Sequence, residues 1–182
     1  MEILDICNED GTLTGKTVPR DIAHRDGILH PTAHVWVIRK TDRGYDVLLQ
    51  KRSMEKDSFP GLYDTSSAGH ISAGEEPLTS AVRELEEELG ILAEPRELAF
   101  AGTFRIRYEK VFHGKLFRDN ELARVYVYRE PVRIEELSLQ EGEVDEVRWF
   151  GLDEVYREVQ AGGKDFCVPA GCLQVLINYL SV

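Results

Sequence analysis

One stretch constrains this chain more than any other: Gly69 to Ile91, GHISAGEEPLTSAVRELEEELGI, a glycine-containing loop that runs into an acidic segment. From about Pro77 to Leu89 the apolar residues Leu78, Val82, Leu85 and Leu89 recur at helical spacing, which sets them on one stripe at roughly 100° per residue. That stripe predicts a helix with one face on a core. Glu84, Glu87 and Glu88 fall together on an arc roughly opposite it, because residues three and four apart are neighbours on a helix surface, whereas Glu86 points elsewhere. Each like-charged pair at this spacing costs roughly a few tenths of a kcal/mol. A divalent cation offsets that repulsion directly, since Mg²⁺ and Mn²⁺ prefer carboxylate and water oxygens.

Both helix ends are legible. Pro77 suits a first turn, where its missing N–H is no loss, and Gly90 suits the left-handed position just past the end. Arg83 lies beside the acidic arc, within reach of Glu87 or of Glu75 in the preceding loop, where it would hold carboxylates in position.

Gly69, Glu75, Arg83-Glu84-Leu85, Glu87-Glu88 and Gly90-Ile91, in this spacing, resemble the complete Nudix box, residues 69–91, with no specified position missing. The bland alternative is a solvated glutamate-rich helix. It explains a bare run of acids but not the loop, the arginine and both glycines.

At 182 residues and 42% hydrophobic content, the chain reads as one globular domain. A net charge of −11 argues against nonspecific binding to nucleic acid or to an anionic membrane. It also demands bridging cations if the ligand is a polyanion, in keeping with a metal on the helix. Cys7, Cys167 and Cys172 form no metal-ligand spacing, and their odd number speaks against a closed disulfide framework. With an acidic start and no run approaching a membrane span, a reduced, cytoplasmic setting is expected.

Along the chain, residues 2–19 read as a hairpin turning at Glu9-Asp10-Gly11. The following RDIAHRDGILHPTAH holds His24, His30 and His34 but too little periodicity to assign. Ala33 to Arg39 and Tyr45 to Lys51 read as strands, and Arg52 to Ser67 as turns. Leu98 to Arg107 and Leu122 to Tyr128 read as strands separated by the charged GKLFRDNE tract. Val144 to Phe150 is a further strand, and Leu152 to Val159 and Leu173 to Leu180 are helices. This order is compatible with an α/β (α+β) domain whose mixed sheet lies between helices. The resemblance implies more: a single Nudix domain over residues 1–182, built as an α/β/α sandwich with the box at one end of the sheet.

Outside the box, DIAHRDGILHPTAHVWV, LLQKRSMEKDSFPGLYDTSSAGH and the NEL segment resemble the branch that includes type I isopentenyl-diphosphate isomerases and hydrolase-like relatives. That likeness implies a second metal site at His24, His30, His70, Asp119 and Glu121, and diphosphate-binding residues at Arg20, Arg52, Lys56 and Arg83. Two departures oppose isomerisation. Ala68 stands where those isomerases carry a catalytic cysteine, and alanine moves no proton. The box also keeps every acid, whereas theirs is eroded.

The expected activity is therefore metal-dependent hydrolysis of a diphosphate linkage in a small molecule, with an isomerase or a non-catalytic sensing module as alternatives. Glu84, Glu87, Glu88 and the Gly69 carbonyl would hold Mg²⁺ or Mn²⁺. Glu87, Glu88, Glu121 and Glu143 are the candidates for general base. Trp36, Phe59, Tyr63 and Phe104 are candidates to stack on a base, although core packing is the commoner fate of such residues. Homodimers are frequent in the family, but no residue here marks an interface.

Overall fold

A computed structural model describes residues 1–181. Its first elements are the hairpin β1 (Ile3–Cys7) and β2 (Leu13–Pro19), whose turn is tied by Asp10 accepting from the Thr12 backbone and hydroxyl. The short helix α1 (Arg20–Asp26) follows at once. At seven residues it is too brief to display a helical period, which is why the sequence leaves it open. It packs Ala23 against Leu4 and Val18 in a small cluster of its own.

The main sheet is built on β3 (His30–Thr41), with β4 (Gly44–Arg52), β5 (Tyr63–Asp64), β6 (Ser67–His70), β7 (Leu98–Phe112), β8 (Lys115–Tyr128) and β9 (Val144–Gly151). It is mixed: β8 runs parallel to β3, and β4 and β6 run antiparallel to it. Strand alternation divides the apolar residues between two faces. Val35, Val37, Tyr126 and Tyr128 face the helix α2 (Pro77–Leu89) through Leu85 and Leu89. Trp36, Ile38, Val125 and Val127 face α3 (Leu152–Gln160) and α4 (Ala170–Leu180). The result is an α/β/α sandwich. Among the described residues no helix is long and apolar enough to cross a membrane.

One irregularity of this sheet positions the site. The strand β3 pairs with β6 along its first half and with β4 along its second, so β3 and β4 diverge where β6 enters. The Ser66 hydroxyl bridges the fork, accepting from the Val37 N–H at 2.8 Å and donating to the Leu48 carbonyl. Backbone groups that would otherwise be orphaned in the interior are thereby satisfied.

Two expectations are corrected. The charged GKLFRDNE tract does not separate the strands; it continues them into a long hairpin that turns at His113-Gly114, with Tyr108 opposite Asp119 and Lys110 opposite Phe117. Its charges disguise the strand because much of the hairpin is exposed on both faces. The acidic arc of α2 is also not uniformly opposite the apolar stripe. Glu87 is exposed, Glu84 is half-buried, and Glu88 is buried beside Leu85 and Leu89.

Candidate active site

The helix α2 begins with Pro77 and ends at Gly90, which adopts φ 70° and donates to the Glu86 carbonyl, as a left-handed cap requires. Held between these ends, Arg83 is a hub. Its Nη1 donates to Glu84 at 2.7 Å and to Glu87 at 3.1 Å, and its Nε and Nη2 grip Glu75 at 3.3 and 3.2 Å. The expected partners Glu87 and Glu75 are both engaged, and Glu84 is a third. The guanidinium thus offsets the repulsion among the acids and holds them at one wall.

Gly69 makes room for this. A β-carbon added there would lie 2.1 Å from the Glu84 carboxyl carbon, far inside contact distance. The glycine is therefore a packing requirement of the glutamate opposite. Glu88 enters the fork between β3 and β4, accepting from Gln50 Nε2 at 2.9 Å and from the Ala68 N–H at 3.2 Å. Burial, with the Glu84 charge nearby, pushes its pKa up to about 7.

A second constellation forms on the other face of the strands. Parallel pairing sets His30 of β3 beside Glu121 of β8, β6 contributes His70 opposite Thr32, and α1 contributes His24. One ligand atom from each of His24, His30, His70 and Glu121 falls within a sphere where all are within 4.8 Å of one another. The Nε2 atoms of His24 and His70 are 3.0 Å apart, the spacing of adjacent ligands about an octahedral ion at roughly 2.1 Å. His30 directs Nδ1 to the Ile28 carbonyl at 2.8 Å, so that nitrogen carries the proton and Nε2 presents its lone pair to the cluster. That Nε2, His24 Nδ1 and Asp119 Oδ1 are buried without a hydrogen-bond partner. Asp119 Oδ1 lies 3.6 Å from His24 Nδ1.

The electrostatics suit a cation. Burial, reinforced by the neighbouring His30, lowers His24 to about 4, and burial lowers His70 to about 3, so both rings are neutral at neutral pH, as ligands must be. Burial alone would raise Glu121, but the hydrogen bond from His34 draws its carboxyl below the usual range. Burial and the Glu121 charge raise Asp119. Orphaned donors and acceptors, neutral histidines and one ionised carboxylate fit a divalent metal ion.

Both constellations open on one cavity of about 310 Å³, which Arg20, Arg52, Lys56, Gly69, His70 and Glu143 also line. Arg52 is anchored to the Ser58 carbonyl at 2.9 Å and to Asp64 at 3.3 Å, Arg20 pairs with Glu2 at 3.4 Å, and Lys56 pairs with Glu143. His30 is fully buried behind the cavity. Of the four aromatic candidates for stacking, only Phe59 lines it. Trp36 is wholly buried, Phe104 packs against Gly171 of α4, and Tyr63 donates to Glu146 while packing on Phe150. Three residues not singled out by sequence also belong to the site. Gln50 supports Glu88, and Tyr108 faces Asp119. His34 lies 3.8 Å from Glu121, which also accepts from Thr32 at 3.1 Å. The alternation of Phe104, Ile106 and Tyr108 was the available signal for the tyrosine.

Comparison with known proteins accords with this geometry. The NUDIX domain family matches residues 28–167. Nudix hydrolase 3 of Arabidopsis thaliana is 43% identical over 155 residues, 84% of this chain, although the chain spans only 20% of that protein's length. An uncharacterized Nudix hydrolase of Clostridium acetobutylicum is 37% identical over 156 residues, covering 86% of this chain and 73% of the relative. An isopentenyl-diphosphate Delta-isomerase of Cutibacterium acnes is 30% identical over 154 residues, 83% of this chain and 74% of that one. In fold, the crystal structure of DR0079 from Deinococcus radiodurans superposes with a TM-score of 0.69 at 18% identity, covering 97% of this chain and 98% of the other.

Proposed function

The chain belongs to the NUDIX family, and from that premise we propose that it is a pyrophosphohydrolase cleaving the diphosphate linkage of a small metabolite, with a nucleoside diphosphate derivative as the substrate class. The observation that carries this reading is one cavity walled on one side by Glu84, Glu87 and Glu88 and rimmed by Arg20, Arg52 and Lys56. An acidic wall alone would repel a diphosphate. Acids that hold cations, facing arginine and lysine, give it a place to sit.

Glu84, Glu87, Glu88 and the Gly69 carbonyl would hold Mg²⁺ or Mn²⁺, and His24, His30, His70 and Glu121, flanked by Asp119, would hold a second divalent ion. Bound there, such ions neutralise phosphate oxygens and acidify water. The protein's own part is positioning, which dominates phosphoryl substitution. Arg83 fixes the directions of Glu84 and Glu87. Arg52, held by Ser58 and Asp64, presents a guanidinium to the phosphates. For the general base we favour Glu87. Glu143 is tied to Lys56, and Glu121 is enclosed by histidines and Thr32, whereas Glu87 is half-exposed and keeps Oε1 free of hydrogen-bond partners among the described residues.

The histidine cluster favours a second reading, isomerisation of isopentenyl diphosphate. Against it, Ala68 lines the cavity with a methyl group where proton transfer would need a thiol. Both are tested by ³¹P NMR of the protein incubated with ADP-ribose, diadenosine polyphosphates, NADH, CoA, nucleoside triphosphates and isopentenyl diphosphate, with Mg²⁺, Mn²⁺ or EDTA. Metal-dependent cleavage of a diphosphate is expected. Deuterium entering isopentenyl diphosphate from solvent, with no cleavage of any compound, would replace hydrolase by isomerase.

A further inference from the structure

Beside the catalytic cavity, and continuous with it through Arg20 and Phe117, lies a larger groove of about 870 Å³ between α1 and the tip of the β7–β8 hairpin. Two features distinguish it from ordinary surface. Its floor is aromatic, made by Phe112 and Phe117 with ring centroids 6.0 Å apart, and Leu116, 45% exposed, also lines it. Its lining carries four arginine and lysine side chains against two aspartates, in a chain whose net charge is −11. Three of the four are paired with acids, Arg20 with Glu2, Arg25 with Asp26 and Arg118 with Glu109, so the unpaired cation of the groove among the described residues is Lys115.

The cations are not equally available. Arg25 is bound by Asp26 at 2.7 Å, and Arg118 donates to the Arg25 carbonyl at 2.7 Å and to Glu109 at 3.3 Å. Lys115, opposite Phe112 at the hairpin turn, makes no ion pair among the described residues. Its ammonium is the free charge at the far end of an apolar floor that begins at the diphosphate-binding rim.

Building on the hydrolase reading, we propose that this groove receives the part of the substrate beyond the diphosphate, and that this part combines an aromatic group with a second anionic group beside it, a phosphate monoester on the adjoining ribose in the simplest case. The aromatic floor accommodates the ring, and Lys115 recognises the second anion. The protein thereby selects extended substrates with two separated anionic centres over compact diphosphates.

The test is the Kd, by titration calorimetry with Mg²⁺ and the Glu87→Gln chain, for two pairs that differ by one phosphate: NADPH against NADH, and CoA against dephospho-CoA. Tighter binding of the phosphorylated member, by roughly fivefold to tenfold in at least one pair, is expected for one partly exposed charge-assisted contact. Adding Lys115→Glu should abolish the ratio, whereas Lys40→Glu, on an exposed lysine at the opposite end of β3 from His30, should retain it. Equal binding in both pairs, no binding, or a ratio that survives Lys115→Glu overturns the groove assignment. Hydrolysis by the unsubstituted chain is scored separately. Preference without cleavage would remove the hydrolase reading and keep the groove; cleavage without preference would do the reverse.

Discussion

Gln50 donates to Glu88 at 2.9 Å across the fork where β3 and β4 part, so a helix carboxyl is held inside the sheet by a strand amide. The amide lacks a charge to match a carboxylate, and this is why burial dominates the glutamate's titration. Its folded pKa of about 7 lies above the ordinary 4.5, so the folded chain prefers the protonated form. That preference is fully present below pH 4.5 and is lost as pH rises through 7.

In EDTA, the stability of the wild type relative to Glu88→Gln should therefore fall between about pH 5 and pH 7.5, by on the order of 3 kcal/mol at most. Urea unfolding at a series of pH values measures it. A difference that does not change with pH would refute the burial argument, and added Mg²⁺ should flatten the curve by favouring the charged form.

Gly69→Ala must displace the Glu84 carboxylate, because the new methyl would lie 2.1 Å from it. We expect at least about a 100-fold loss of kcat, as misplacement of a catalytic group by about an ångström produces. Circular dichroism should show the sheet and helices retained. Full activity in this variant would mean that Glu84 is not needed where the structure puts it.

His70→Ala should lower the number of tightly bound Mn²⁺ ions by one, counted by electron paramagnetic resonance, since it removes one of the three clustered imidazoles. Glu87→Gln, whose carboxylate is outside that cluster, should leave this ion bound. Unchanged stoichiometry in His70→Ala would reduce the histidine group to a packing feature.

Glu87→Gln itself should cost at least about 100-fold in kcat, as loss of a general base does. Its side chain is 48% exposed, so thermal unfolding should shift by no more than about 2 °C. Retained turnover, followed by phosphate release, would exclude Glu87 as the base.

The parts of this molecule that the sequence made legible are those governed by local rules. Pro77 and Gly90 bound α2 because a first turn tolerates proline and a left-handed cap favours glycine. The core strands were readable because their apolar runs are bounded by turns. Glu88 was misread for the opposite reason. A helical wheel reports which residues share a face, but not that a fork in a distant sheet leaves room for a carboxyl. The seven residues of α1 fell below the length at which periodicity speaks, although His24 sits on them. Tyr108 and His34 entered the site through strand pairing, which joins positions far apart in the chain.

The pairing of His30 with Glu121 lies near one end of a register that also fixes every partner from Pro31 to Val37. A single residue added in β8 just before Asn120 would carry Asn120 into the place of Glu121 and exchange the strand's apolar residues between its two packed faces. Insertions at the hairpin tip, between Phe112 and Lys115, carry no such penalty, because nothing beyond the turn depends on them. The fold thus separates a turn whose length is free from a pairing whose register is not. The tip can lengthen or shorten while His30 of β3 and Glu121 of β8, away from the turn, stay in step.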